Sequence, residues 1–104
     1  MVSRRHIESI DELTQIEARE LGELLQRVSG ALKAEVGCQK TYVMQFAEDP
    51  RHPHVHFHIV PRMATFGPED VGANVFKFLS VDSDERVSEN DMNILAGGLR
   101  EKLA

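Results

Sequence analysis

Residues His54–Val60 alternate between histidine and apolar side chains, and this pattern constrains the fold more than any other stretch of the chain. Side chains on a β-strand point to opposite faces in turn, so one face is apolar and the other carries imidazoles. The apolar face is formed by Val55, Phe57 and Ile59. The imidazole face is formed by His54, His56 and His58. We expect the apolar face to lie on the core beneath a helix, and Pro61 to end the strand.

A long amphipathic segment precedes this strand. Between Ser9 and Val36, apolar residues recur at spacings of three to five, which is typical of a helix with one buried face. Thr14 and Glu17 have the spacing of a capping box, and Gly37 stands where a helix C-cap is expected. The sequence therefore predicts that most of this segment is helical.

The remaining elements are short. Lys40–Phe46 is rich in β-branched and aromatic residues and predicts a strand, which the polar turn at Glu48–Pro53 connects to the histidine segment as an antiparallel hairpin. A short helix is expected near Val75–Leu79, and Ser88 is expected to cap a last helix. The predicted fold class is α+β, with a small antiparallel sheet packed against a long helix in one domain, residues 1–104.

Charge, hydropathy and cysteine content exclude several classes of partner and site. The formal net charge of −5 argues against binding a nucleic acid polymer, which requires a basic face. The sequence contains no apolar run of the ~20 residues that cross a bilayer, and its first residues lack the apolar core of a signal peptide. We therefore expect a cytoplasmic protein without membrane contact. Cys38 is the single cysteine, which excludes an intrachain disulfide and a Cys-x-x-Cys metal site.

Three interpretations of the histidine row compete. It is a polar strand face that happens to be rich in histidine, a metal site, or a site for phosphoryl or nucleotidyl chemistry. Neighbouring residues on one face lie ~6.6 Å apart, so two imidazoles can share a metal ion but three on a straight strand cannot. In the third interpretation, one ring attacks phosphorus while a neighbour holds the charged oxygens.

The pattern His-φ-His-φ-His-φ-φ, where φ is apolar, resembles the signature of the histidine triad family, and residues 54–60 match it at all seven positions. The resemblance extends to Pro61-Arg62, to the basic segment Arg4–Ile7, to the start of the long helix and to the strand before the triad. We expect residues 3–62 to correspond to the conserved half of the family domain and residues 63–104 to a variable helical tail. The N-terminal strands that usually precede Arg4 in the family are missing from this sequence.

The resemblance implies an enzyme that hydrolyses or transfers nucleoside monophosphate groups from dinucleoside polyphosphates or nucleoside phosphoramidates. His56 would attack the α-phosphorus and form a nucleotidyl-histidine intermediate. His58 would contact phosphate oxygens and the leaving group, and His54 would orient the centre. The resemblance implies no metal and no cofactor, and it implies a homodimer.

Chemistry adds two requirements to this mechanism. The attacking ring must be neutral, with its other nitrogen held as N–H by an acceptor. A cation beside it would stabilise the charge that builds on the phosphate, and protonated His58 and Arg62 are the two candidates.

Further substrate-binding candidates lie around the triad. They are His6, Gln45, Arg51, His52 and Arg62. Two other functions stay open, a nucleotide-binding module without turnover and a metal-binding protein. The first is considered because the missing strands would form part of the pocket for the base and ribose.

Overall fold

The structure is a computed structural model that describes residues 1–82 and 84–104. Ser83, in the predicted tail, lies outside the described residues. The elements in chain order are a first 3-10 helix at Ile10–Glu12, α1 at Gln15–Val36, β1 at Lys40–Phe46, β2 at His56–Arg62, a second 3-10 helix at Gly72–Ser80, and α2 at Glu89–Leu103.

Helix α1 begins and ends where its capping signals predicted. The backbone N–H of Glu17 donates to the Thr14 hydroxyl at 3.1 Å, and the Glu17 carboxylate accepts from the Thr14 backbone N–H at 2.8 Å. Gly37 closes the helix with a φ of 67°, a left-handed conformation that favours glycine. Most of the segment from Ser9 to Val36 is helical as predicted, and residues Ile10–Glu12 form a separate 3-10 turn before the Thr14 cap.

A salt bridge fastens the start of α1 to the N-terminal segment. The Arg5 guanidinium lies 2.8 Å from the Glu17 carboxylate. The hydrogen bond from Arg5, followed by that from the Thr14 backbone, lowers the pKa of Glu17 to about 2. The basic segment before the helix is therefore held against the first turn of α1.

The sheet is an antiparallel pair of strands, in which Lys40 lies opposite Arg62 and Phe46 lies opposite His56. The predicted bounds of β1 are confirmed, whereas those of β2 were wrong by two residues at each end. The strand starts at His56 because the ladder ends at its pair with Phe46. It continues through Pro61, which a strand tolerates where its missing N–H interrupts no ladder.

The core lies on the apolar face of β2, as the alternation predicted. Its centre is formed by Ile7, Val55 and Phe57, which are 2%, 0% and 7% exposed. Leu13, Leu21 and Ala47 pack against this centre, so α1 and its approach cover one face of the sheet. The opposite face carries His56 and His58.

The remaining contacts place the two ends of the chain. Val2 forms an isolated antiparallel bridge with His56, so the N-terminal segment covers part of the outer edge of β2. Helix α2 packs on α1, where the Lys102 ammonium lies 2.8 Å from the Glu35 carboxylate. Within residues 1–82 and 84–104, neither α-helix combines the length and the apolar character that a membrane crossing needs.

Candidate functional site

His56 is the first residue of β2, and its ring is half-buried. Its Nδ1 atom lies 3.1 Å from the backbone carbonyl oxygen of His54. A carbonyl oxygen can only accept a hydrogen bond, so this contact requires a proton on Nδ1. In the neutral ring, Nε2 then carries the free lone pair, which is the arrangement a nucleophilic imidazole needs.

His58 is the neighbour of His56 on the same face of β2, and their ring centroids lie 5.0 Å apart at an interplanar angle of 76°. Two phenylalanine rings surround it: Phe46 from β1 at 6.1 Å and Phe76 from the second 3-10 helix at 5.1 Å. Burial, followed by the positive charge on His56, lowers the pKa of His58 below its ordinary value. His58 is therefore neutral near pH 7 in the free protein, which weighs against the cationic role the sequence offered it.

His54 lies outside the strand and does not continue the row of rings. Its backbone N–H donates to the His52 carbonyl at 2.7 Å, a local turn that replaces strand pairing. Its Nε2 lies 3.1 Å from the Ser3 carbonyl oxygen, and its Nδ1 lies 2.9 Å from Nδ1 of His6. The carbonyl requires a proton on Nε2, so the Nδ1 atom of neutral His54 accepts from the Nδ1–H of His6.

His6, one of the substrate-binding candidates, contacts the triad through His54. Its ring is 5.0 Å from the His54 ring, centroid to centroid, and its Nε2 lies 3.9 Å from the Glu8 carboxylate. Since the His54 carbonyl also holds His56, one residue links the N-terminal segment to the candidate nucleophile.

The loop before β2 holds the Asp49 carboxylate, whose hydrogen bonds lie within the loop. The backbone N–H and the guanidinium of Arg51 both donate to Asp49, and they lower the pKa of that carboxyl. The imidazoles of His52 and His56, in their protonated forms, add to the same lowering. The Arg51 side chain is 83% exposed and pairs with Asp49.

Two of the predicted substrate-binding residues are not brought to the histidines. Gln45 lies opposite Phe57 in the ladder, and paired residues share a face, so Gln45 points away from the His56 face. Arg62 shares that face, but it lies two alternate positions beyond His58, roughly 13 Å along the strand. Its guanidinium donates to the Gln39 side chain. The structure therefore offers neither a Gln45 contact nor an Arg62 cation at His56.

Sequence reasoning missed three residues that contact the histidines of the site. They are Ser3, Phe46 and Phe76. Phe46 was visible as a strand residue, and the hairpin register brings it to the histidine face. Phe76 carried no signal, because it lies in the segment predicted to be a variable tail.

One cleft lies away from the histidines. It has a volume of about 520 Å³ and lies between the N-terminal segment and α1, with Phe57 in its wall. Since Phe57 points away from His56, this cleft is on the other side of β2. Across the two described ranges, no three His, Cys, Asp or Glu side chains cluster closely enough to hold a metal ion.

The comparisons with known proteins support a histidine triad fold. A solved histidine triad protein from Bradyrhizobium japonicum matches with a TM-score of 0.78 and 22% sequence identity, over 99% of this chain and 72% of that chain. Neither a protein-family model nor a curated protein matches the chain. The predicted α+β class and the predicted structural resemblance are thereby confirmed.

Proposed function

We propose that this histidine-triad-like fold serves a nucleotidyl hydrolase or transferase that acts at the α-phosphate of a dinucleoside polyphosphate or a nucleoside phosphoramidate. The observation that carries the proposal is the contact between His56 Nδ1 and the His54 carbonyl at 3.1 Å. In the neutral ring this contact leaves the lone pair on Nε2, on a half-buried strand face.

In the first step, the Nε2 lone pair of His56 forms a bond to the α-phosphorus. The bond from phosphorus to the leaving oxygen or nitrogen breaks, and the leaving group departs with its electron pair and takes up a proton. The imidazole becomes positively charged as it is nucleotidylated, and the Nδ1–H bond to the His54 carbonyl stabilises that charge. Water, or a second acceptor, then displaces His56 and releases the nucleoside monophosphate group.

His58 takes a different role from a permanent cation. Its neutral ring lies beside His56 and offers one N–H donor to a phosphate oxygen or to the leaving group. An anionic substrate would raise the pKa of His58 and draw a proton onto it, which the leaving group can then receive. His54 and His6 act behind the nucleophile, through the carbonyl that orients His56.

Arg51 and His52 are retained as phosphate-binding candidates. Both lie in the exposed loop that leads into β2, and the His52 carbonyl accepts the backbone N–H of His54 at 2.7 Å. The Arg51 guanidinium would have to exchange its carboxylate partner for a phosphate, which is a bidentate acceptor of similar geometry.

The direct test is the substitution His56→Ala, assayed against diadenosine tetraphosphate and against an adenosine phosphoramidate. Loss of the nucleophile is expected to lower kcat by at least about 10³-fold. His52→Ala makes the same change on an exposed loop ring, and it is expected mainly to raise KM. Asn93→Ala, exposed on α2, is the control for substitution as such. Full activity of His56→Ala on both substrates would refute the mechanism.

A nucleotide-binding module without turnover is the second candidate. It is favoured by the position of the cleft between the N-terminal segment and α1, which lies on the face away from His56. Among the described residues the sheet also has two strands only, which leaves little wall for a base and ribose. Calorimetry with a nucleoside monophosphate, combined with product analysis, separates the two candidates, because a pure binder gives heat without product. Metal content after purification without a tag tests the third possibility, a metal-binding protein.

We further propose a homodimer in the cytoplasm. Outer strand β1 carries the exposed side chains Val43 and Phe46, 46% and 41% accessible, and an open strand edge with apolar side chains favours association. Light scattering at micromolar concentration is expected to give twice the chain mass, and a monomer throughout that range would refute the dimer. Cell fractionation is expected to recover the protein with the cytoplasm.

A further inference from the structure

Phe76 is a contact of the histidine row that the proposed mechanism does not use. It comes from the second 3-10 helix, far along the chain from β2, where its neighbour Val75 is only 3% exposed and anchors the segment. The Phe76 ring stands edge-on to His58 at 5.1 Å with an interplanar angle of 89°. It also packs on Phe46 at 5.5 Å, and Phe46 packs on His58 at 6.1 Å. Three mutual contacts thus enclose one side of His58.

We propose that Phe76 is a positioning residue, which holds the His58 ring in a fixed orientation beside His56 and keeps water from it. Edge-to-face aromatic contacts are directional and worth about 0.5–1.5 kcal/mol each beyond burial, so two of them restrict rotation of a ring. The His56 ring, 5.0 Å away, is the third ring in contact with His58.

The charged groups around His58 are few. On β2 itself the neighbour is His56, and from the N-terminal segment the Met1 amino group faces it; both lower the pKa of His58. Strand β1 faces it with Met44 and Phe46, which carry no charge. On the second 3-10 helix, the Lys77 ammonium is turned to Asp70 and to the Glu69 carbonyl. Burial is the first cause of the lowered pKa, and the two phenylalanines supply apolar cover on that side.

Removal of Phe76 therefore changes His58 in a defined direction. Water reaches the ring, the charged form is no longer penalised, and the pKa of His58 rises toward its ordinary value. A freer His58 also loses alignment with the phosphate. The first consequence needs only the folded protein, while the second rests on the proposed function.

The experiment is an NMR titration of the imidazole nitrogens in the ligand-free chain, with His58 assigned from the His58→Gln spectrum. In Phe76→Ala, the midpoint of His58 is expected to move to higher pH than in wild type. Phe76→Val, which stays apolar and is less disruptive, is expected to give a smaller shift of the same sign. The control is Phe78→Ala on the same helix, since Phe78 is 44% exposed and stacks on Phe66 at 5.4 Å. It is expected to leave the His58 midpoint unchanged.

Turnover supplies the second measurement. Phe76→Ala is expected to lower kcat by roughly 10- to 100-fold, with a smaller effect on KM, because misorientation affects the reacting geometry more than binding. The acid limb of its rate profile is expected at higher pH than in wild type. An unchanged His58 midpoint in both folded Phe76 variants would overturn the inference. If wild type turns over no nucleotide but the midpoint shifts, the proposed function fails and the role of Phe76 in positioning His58 stands.

Discussion

Ile7 connects the N-terminal segment to the strand that carries the histidines, and its truncation tests the packing beneath the site. Its side chain is 2% exposed and packs with Val55 and Phe57. Its carbonyl accepts the Val55 N–H at 2.9 Å. Ile7→Ala removes three buried carbons at about 0.8 kcal/mol each, or about 2.4 kcal/mol before any cavity cost. With the cavity left behind, the expected loss of unfolding free energy is about 2–5 kcal/mol.

That loss is large for a domain of this size. Total stability of small domains is about 5–15 kcal/mol, and each kcal/mol lowers Tm by about 4–8 °C in this size range. Ile7→Ala should therefore melt roughly 8–40 °C below wild type. The matched control is Ile10→Ala, because Ile10 is 48% exposed in the first 3-10 helix. It is expected to lose less than about 1 kcal/mol, in proportion to the smaller area removed from water.

Urea unfolding followed by far-UV circular dichroism measures both variants, and a constant m-value shows that the difference lies in stability. Equal destabilisation by the two substitutions would contradict the packing described for Ile7. It would mean that the N-terminal segment does not fill the core beneath β2.

Three further predictions concern capping and charge. Thr14→Ala should cost about 1 kcal/mol of stability through loss of the α1 cap, whereas Thr65→Ala in an exposed turn should cost little, as measured by urea unfolding. The pKa of Glu17 is about 2 in the folded state against an ordinary 4.5. The stabilisation of the folded state by ionised Glu17 is therefore fully present above pH 4.5 and disappears as the pH falls toward 2. Acid titration of Glu17→Gln should show a smaller loss of stability over that range than wild type, and an identical loss would count against the Arg5 contact. Arg51→Ala should raise the pKa of Asp49 only part of the way to its ordinary value, since the backbone N–H of residue 51 still donates to the carboxylate. Carboxyl carbon NMR measures this pKa. If the pKa does not rise, the Arg51 side chain contributes nothing to its lowering.

Local signals predicted the elements well. The Thr14 and Glu17 capping box and the Gly37 cap lie where their chemistry requires, because each depends on contacts within a few residues. The apolar alternation correctly placed Val55 and Phe57 in the core, whereas the third residue of that face, Ile59, is only half-buried. Apolar spacing did not reveal the separate turn that Ser9 and Glu12 form before α1, nor the two-residue displacement of β2.

The site was harder to predict than the fold, because it depends on long-range contacts. The alternation of side chains along a strand predicted that His54 shares a face with His56 and His58. In the structure the strand begins only at His56, and the His54 ring contacts Ser3 and His6 instead. The face on which Gln45 lies depends on the hairpin register, which a loop of this length leaves open. Phe76 reaches His58 only after the tail folds back over the sheet. No pattern within a strand or a helix contains that information.

The most direct test of the account is to locate the covalent intermediate. Wild-type protein mixed with diadenosine tetraphosphate or an adenosine phosphoramidate and quenched in alkali, where phosphorus–nitrogen bonds to histidine persist, is examined by intact mass and by peptide mapping. We predict an adenylyl group on His56, present in wild type and in Asn93→Ala, and missing from His56→Ala. Product release with the label on another residue, or with undiminished turnover in His56→Ala, would contradict the claim that His56 is the nucleophile.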